Sequence, residues 1–203
     1  MRLLYLKLER FFVVDAQVAP TLMMRVVPGA VLVIVSMLEV LFISIISDWI
    51  EIDSTYLLIP VMIHWLVFIA HGVPLESEKL FDITGQIAFT VLNVYAYKIG
   101  NQSIKSLIAC ILCIIWSCRL GIFLFVRILK RKSAFRFVEC KSKFGYSFFA
   151  WTNQGVWCYF QGLGLVDLHN FPANSAIFLW YDIFFLLLAL IGLGIESIAD
   201  FKK

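Results

Sequence analysis

The sequence predicts an all-α integral membrane protein with about six transmembrane helices and both chain ends on one side of the membrane. Three observations carry that prediction. The chain is 62% hydrophobic and only 15% charged over 203 residues, whereas soluble domains average about 25% charged residues. Its apolar runs approach the ~20 residues that a helix needs to cross the hydrocarbon layer. Its Lys and Arg residues gather in alternate connecting segments, as the positive-inside rule requires.

The runs follow in order. The first extends from Val26 to Ser47 and is interrupted only by Glu39. The second, Thr55 to Val73, carries Pro60, His64 and His71. The third, Phe81 to Ile99, opens near Asp82 and contains Gln86 and Asn93. The fourth, Ser106 to Leu129, has Arg119 in its body. The fifth, Ser147 to Val166, is rich in glycine and in amides, with Asn153, Gln154 and Gln161. The sixth, Ala176 to Ile195, bears Asp182 near its start. Turn-forming stretches at Gly100–Ser103 and His169–Asn174 separate runs, because Gly, Asn, Ser and Pro interrupt helices.

With six spans, the basic residues of the N-terminal segment, the second and fourth connections and the C-terminus fall on one side. Only Lys98 and Lys105 fall on the other. Both termini are therefore expected on the cytoplasmic or matrix-like side. Residues 1–25 read as an N-terminal segment lying on the membrane surface, and residues 26–203 as the transmembrane bundle. Arg2, Lys7, Glu9, Arg10 and Asp15 make the N-terminus too polar for the apolar part of a cleavable signal. The net charge of +3 excludes nothing by itself, but the basic residues cluster at membrane edges, so no nucleic-acid partner is expected. Membrane lipids and other membrane-protein subunits are the expected partners.

Charged groups inside a bilayer mark a function or a paired partner. Arg119 is the foremost. Its expected role is either an anion clamp, since a guanidinium binds carboxylate or phosphate through two parallel hydrogen bonds, or a buried ion pair with Asp82, Asp182 or Glu39, the first two foremost. His64 and His71 share one helix face, too far apart for one metal to bridge, and read as interhelical hydrogen-bonding groups. No metal site is expected. Cys110, Cys113, Cys118, Cys140 and Cys158 are odd in number and lie mostly in apolar runs, which suits small apolar side chains rather than a redox pair. Gly162–Gly164 and Gly192–Gly194 lack a preceding strand and a third glycine. Such pairs read as sites of close helix approach.

Several short motifs, in order, resemble the steroid 5-alpha-reductase family. They are Phe81-Asp82-Ile83-Thr84-Gly85; Trp116-Ser117-Cys118-Arg119-Leu120-Gly121, followed by Arg127; Arg136-Phe137; Phe148-Phe149 with Gln154 and Trp157; and Glu196 with Asp200 and Lys203. Together they cover about residues 80–203. The resemblance implies a membrane-embedded ene-reductase with an NADPH site between the later helices. Arg119, Arg136, Glu196 and Asp200 would form the cofactor-binding half-site. Ala134 stands where the family usually has an acidic residue, and the family's Gly-Leu-Trp and His-Pro-Asn-Tyr stretches are not matched. The expectation is therefore a truncated reductase-like domain, non-catalytic, with no catalytic residue and no cofactor. It would serve as a structural or accessory subunit of a larger complex in an organelle membrane, the endoplasmic reticulum or the mitochondrial inner membrane. The alternative is an NADPH-dependent reductase of an activated C=C bond in a steroid, enoyl or other lipid substrate.

The topology is testable directly. Cysteine-accessibility labelling at Asp48–Ser54 and at Lys130–Lys132 should report opposite faces of the membrane; labelling of both from one face would overturn the six-span arrangement.

Overall fold

The computed structural model describes residues 28–131, 143–172 and 179–201, and among them every regular element is helical. α1 is Gly29–Trp49. α2 covers Thr55–Val67, then continues through a wide π-helical turn, Phe68–Gly72, into Val73–Leu75. α3 is Phe81–Ile99, α4 Ile104–Arg131, α5 Phe144–Asn170 and α6 Trp180–Phe201. The all-helical expectation is met, and α1, α2, α4 and α6 are each long and apolar enough to cross a membrane. The surface segment expected for residues 1–25 lies outside the described residues.

Local chemistry accounts for the boundaries. Pro28, extended at φ −63° and ψ 141°, precedes the first turn of α1, and proline restricts both its own conformation and that of its neighbour. After α1, Glu51 turns the chain with φ 62°. The Asp48 carboxylate accepts from the Ser54 N–H at 3.1 Å, and Asp53 accepts from the Thr55 N–H at 2.8 Å, which starts α2. Hydrogen bonds from Thr55 hold the Asp53 carboxyl below its ordinary range. Within α2 the π turn comes just before Pro74. Proline cannot donate to the carbonyl four residues back and its ring crowds that group, so a widened turn relieves the conflict.

α5 lies at the centre of the bundle, against α1, α2 and α3, while α3 also packs along α4. The main core draws Val40 from α1, Tyr56, Leu57 and Val61 from α2, Leu92 and Ala96 from α3, and Val156, Tyr159 and Val166 from α5. A second cluster stacks Phe68, Phe81, Phe148 and Trp151. Hydrogen bonds tie the helices across the core. Ser47 meets the Tyr159 hydroxyl at 2.6 Å, Trp65 donates to Thr152 at 2.9 Å, and Tyr56 donates to Asn170 at 3.0 Å. The connection after α3 is latched to the end of α5, with the Asn101 amide nitrogen donating to the carbonyls of Leu168 and Phe171.

The central place of α5 explains its composition. Small residues let backbones approach in a membrane, where van der Waals packing rather than water expulsion drives association. Gly155 sits against the backbone of Val61, and Gly162 against the Leu92 side chain. The close approach expected at Gly164, Gly192 and Gly194 is not found; a methyl at any of them would meet no atom within 4 Å. His169, expected in a connecting segment, instead belongs to α5 and is fully buried. His64 does not bridge helices as expected: its Nδ1 lies 2.7 Å from the Pro60 carbonyl of its own helix, the group four residues back. Among the described residues no three His, Cys, Asp or Glu side chains gather as a metal site. Cys110, Cys113 and Cys158 are buried and free, whereas Cys118 is exposed.

A β-carbon on Gly155 would fall 2.8 Å from the Val61 Cα. Gly155→Leu should therefore lower thermal stability by about 1–3 kcal/mol, the usual penalty of overpacking. Gly192→Leu should leave it unchanged. Thermal unfolding of both variants in detergent checks this.

Candidate functional site

The site assembles from α4 and α6. On α4, Trp116 and Arg119 are three residues apart and so share a face. On α6, Glu196 and Asp200 are four apart, on successive turns of one face. The expected end of the sixth span at Ile195 was too early. The helix continues to Phe201, which carries both carboxylates along a single line.

Arg119 lies between the two carboxylates. Its Nη2 is 2.5 Å from the Glu196 Oε1, and its Nη1 donates to the Asp200 Oδ2 at 3.0 Å. The Nη2 contact is a charge contact without hydrogen-bond alignment, and the Arg119 Nε is buried with no hydrogen-bond partner. The indole N–H of Trp116 donates to the other Glu196 oxygen at 3.0 Å. Glu196 is thus held by two groups from α4, and with all three groups ionised the cluster carries one more negative charge than positive.

A second bridge joins the same helices nearer their starts. Lys105 reaches the Asp182 Oδ1 at 2.7 Å, and its ammonium lies 5.9 Å from the Tyr181 ring centre. The other Asp182 oxygen accepts from the Leu179 N–H at 2.8 Å, at the start of α6. Lys105 and Arg119 are fourteen positions apart, as are Asp182 and Glu196. Fourteen residues is two heptads, about 21 Å of helix, and returns to nearly the same face. α4 and α6 therefore run parallel, in register, bridged at two depths. The half-buried positions of α6, which include Asp182, Leu186, Leu193, Glu196 and Asp200, form one stripe. The rest of that helix is exposed.

The expected pairing of Arg119 with Asp82 or Asp182 is thus corrected. α3 runs antiparallel to α4, so Asp82 at its start lies at the level of Arg127, whose Nη2 is 3.9 Å away. α6 runs parallel to α4, so Asp182 at its start meets Lys105. Depth, not order along the chain, selects the partners. Of the four residues grouped by resemblance, Arg119, Glu196 and Asp200 come together; Arg136 lies outside the described residues.

Sequence reasoning did not foresee the roles of Trp116 and Lys105. The spacing of Trp116 from Arg119 was the available signal. It also left unassigned a polar seam between α3, α4 and α5. There the Gln154 amide packs on Gly85, and Gln86 packs on Gly121, two residues beyond Arg119. The side-chain oxygens of Gln86, Asn93 and Gln154 and the Ser117 hydroxyl are buried without hydrogen-bond partners. The Cys158 thiol donates to the Gly85 carbonyl at 3.4 Å.

Residues 68–203 match the family model described as a protein of unknown function, DUF1295. The chain belongs to that family. DUF1295 lies within the steroid 5-alpha-reductase-like group. No curated protein and no solved structure matches the chain. The matched residues include all of α3 to α6, and hence both bridges between α4 and α6 of this DUF1295 protein, but none of α1.

Removing Arg119 would leave two carboxylates facing each other. Arg119→Leu should lower stability by about 1.5–3 kcal/mol, the worth of charge-assisted hydrogen bonds. A double-mutant cycle between Arg119 and Glu196 should yield a coupling of about 0.5–3 kcal/mol, and the cycle with Asp182 a value near zero. Stronger coupling to Asp182 would refute this pairing.

Proposed function

We propose that this DUF1295 protein is a non-catalytic accessory subunit of a larger membrane assembly, seated in an organelle membrane, either the endoplasmic reticulum or the mitochondrial inner membrane. The observation that carries this reading is the commitment of Arg119 to Glu196 and Asp200. A guanidinium that is to clamp a phosphate must be free to present its N–H groups. Here a nucleotide phosphate would have to displace two carboxylates that already outnumber the cation, in surroundings where screening is weak. This pairing of Arg119 weighs against an anionic cofactor at the half-site implied for NADPH, and no reaction step is assigned to it.

The exposure of α6 points the same way. Apart from its polar stripe it offers Phe184, Phe185, Leu188, Ile191 and Ile195 outward, each about half exposed or more. Such a helix is covered in the membrane by lipid or by other proteins. Both are the proposed partners, with no nucleic acid among them. The second reading, an NADPH-dependent reductase of an activated C=C bond in a steroid, enoyl or other lipid, has the family placement in its favour.

Titration of NADPH against the purified chain in lipid nanodiscs separates the two. No saturable binding is expected up to about 1 mM, a free energy near −4 kcal/mol. Dissociation in the low micromolar range with turnover of an enone or enoyl lipid would overturn the subunit reading. Native electrophoresis from mild detergent should find the chain in a species much larger than itself; migration as a lone chain would also overturn it.

A further inference from the structure

We propose that Glu39 marks a docking face on α1 for a membrane-spanning helix of another protein, one that carries a Lys or Arg at the same depth. This inference rests on the accessory-subunit reading and names the surface and the chemistry of the partner.

Glu39 stands at the midpoint of α1, ten residues from Gly29 and ten from Trp49, in a run that has no other charged residue before Asp48. At 1.5 Å per residue its carboxyl lies about 15 Å from either end of the helix. A Glu side chain is too short to reach the membrane surface from there, unlike Lys or Arg near a helix end. The carboxyl must be answered within the plane of the membrane.

The described residues of the bundle do not answer it. α1 turns Leu32, Ser36, Val40 and Ser47 into the core, and its two inward serines are satisfied by their own helix, with Ser47 also bonded to Tyr159. Glu39 sits on the flank of that face, half covered. Among the described residues its carboxyl makes no hydrogen bond and no ion pair. Beside it Val35, Phe42 and Ile46 are exposed, at 42%, 63% and 38%. Val35, Glu39, Phe42 and Ile46 repeat at intervals of four, three and four. That is the spacing by which one helix presents a continuous seam to another.

Charge complementarity chooses the occupant. Lipid chains give a carboxyl nothing to bond. A second copy of this chain meeting the same seam about a two-fold axis would set Glu39 against another carboxyl. A Lys ammonium or Arg guanidinium on a neighbouring span satisfies the charge and the hydrogen bonds together, which is how intramembrane ionisable groups are usually accommodated. α1 lies outside the residues matched by the family model.

The test uses the full chain in its own cellular membrane, with the photo-crosslinking residue p-benzoylphenylalanine at position 42. Irradiation should capture a peptide from the apolar span of a different protein that contains a Lys or Arg. Glu39→Leu in the same chain should reduce that capture about tenfold or more, because losing one member of a buried charge pair speeds dissociation. Glu39→Leu should not lower the thermal stability of the purified chain, since no described residue bonds to the Glu39 carboxyl, so lost capture would not reflect misfolding. Exchanging the charges, Glu39→Lys with the partner's base changed to Glu, should restore capture. Capture of lipid only, of this chain's own peptides only, or capture unchanged by Glu39→Leu would overturn the proposal. Those outcomes, with the chain still running in a large complex, would leave the subunit reading standing; a lone chain on native electrophoresis would remove that reading itself.

Discussion

Hydrocarbon offers no hydrogen bonds, so each polar group carried into the bilayer must be answered by the protein, and the arrangement of this bundle follows from that constraint. Arg119 is the clearest case. Its charge can be neutralised only by carboxylates at its own depth, and α6 supplies two of them. Lys105 with Asp182 repeats the arrangement two heptads away. α6 joins the bundle largely through these polar contacts, whereas the other helices are locked by buried apolar side chains and close glycine contacts.

The same constraint divides the helices into two kinds. α1, α2, α4 and α6 are apolar enough to meet lipid. α3 and α5 carry the amides Gln86, Asn93, Asn153 and Gln154 and lie where other helices shield them. Some of these amides return a hydrogen bond to their own helix, as Asn93 does to the Phe89 carbonyl at 2.8 Å and Asn153 to Phe149 at 2.9 Å. Serine and threonine do likewise: Ser36, Thr84 and Thr152 each donate to a carbonyl four residues back. A polar residue in a membrane helix is thus often satisfied locally, and only groups too long or too strongly charged for that solution draw helices together.

Arg119 also shows how a residue placed by family resemblance can be paired within the bundle. A guanidinium at a matching position is equally able to hold a cofactor phosphate or a neighbouring carboxylate. Which it does depends on the surrounding charge. With Glu196 and Asp200 both in reach, the local balance favours the internal pair, and a shared fold does not by itself fix what such a residue does.

The sequence by itself determined the elements. Six apolar runs became six helices among the described residues, four of them long and apolar enough to cross a membrane, because a backbone in hydrocarbon must satisfy its own hydrogen bonds. It also singled out Arg119, Glu196 and Asp200, the last two through an ordered set of motifs rather than through periodicity. It did not determine that Arg119 would choose those two over Asp82 and Asp182, that His169 would be buried in α5, or that α5, the most glycine-rich run, would be central. Those outcomes rest on which helices run parallel and at what depth each side chain lies. Depth and facing are properties of helix packing, and a linear pattern of apolar and polar residues states a helix's length and its faces but not the neighbour each face will meet.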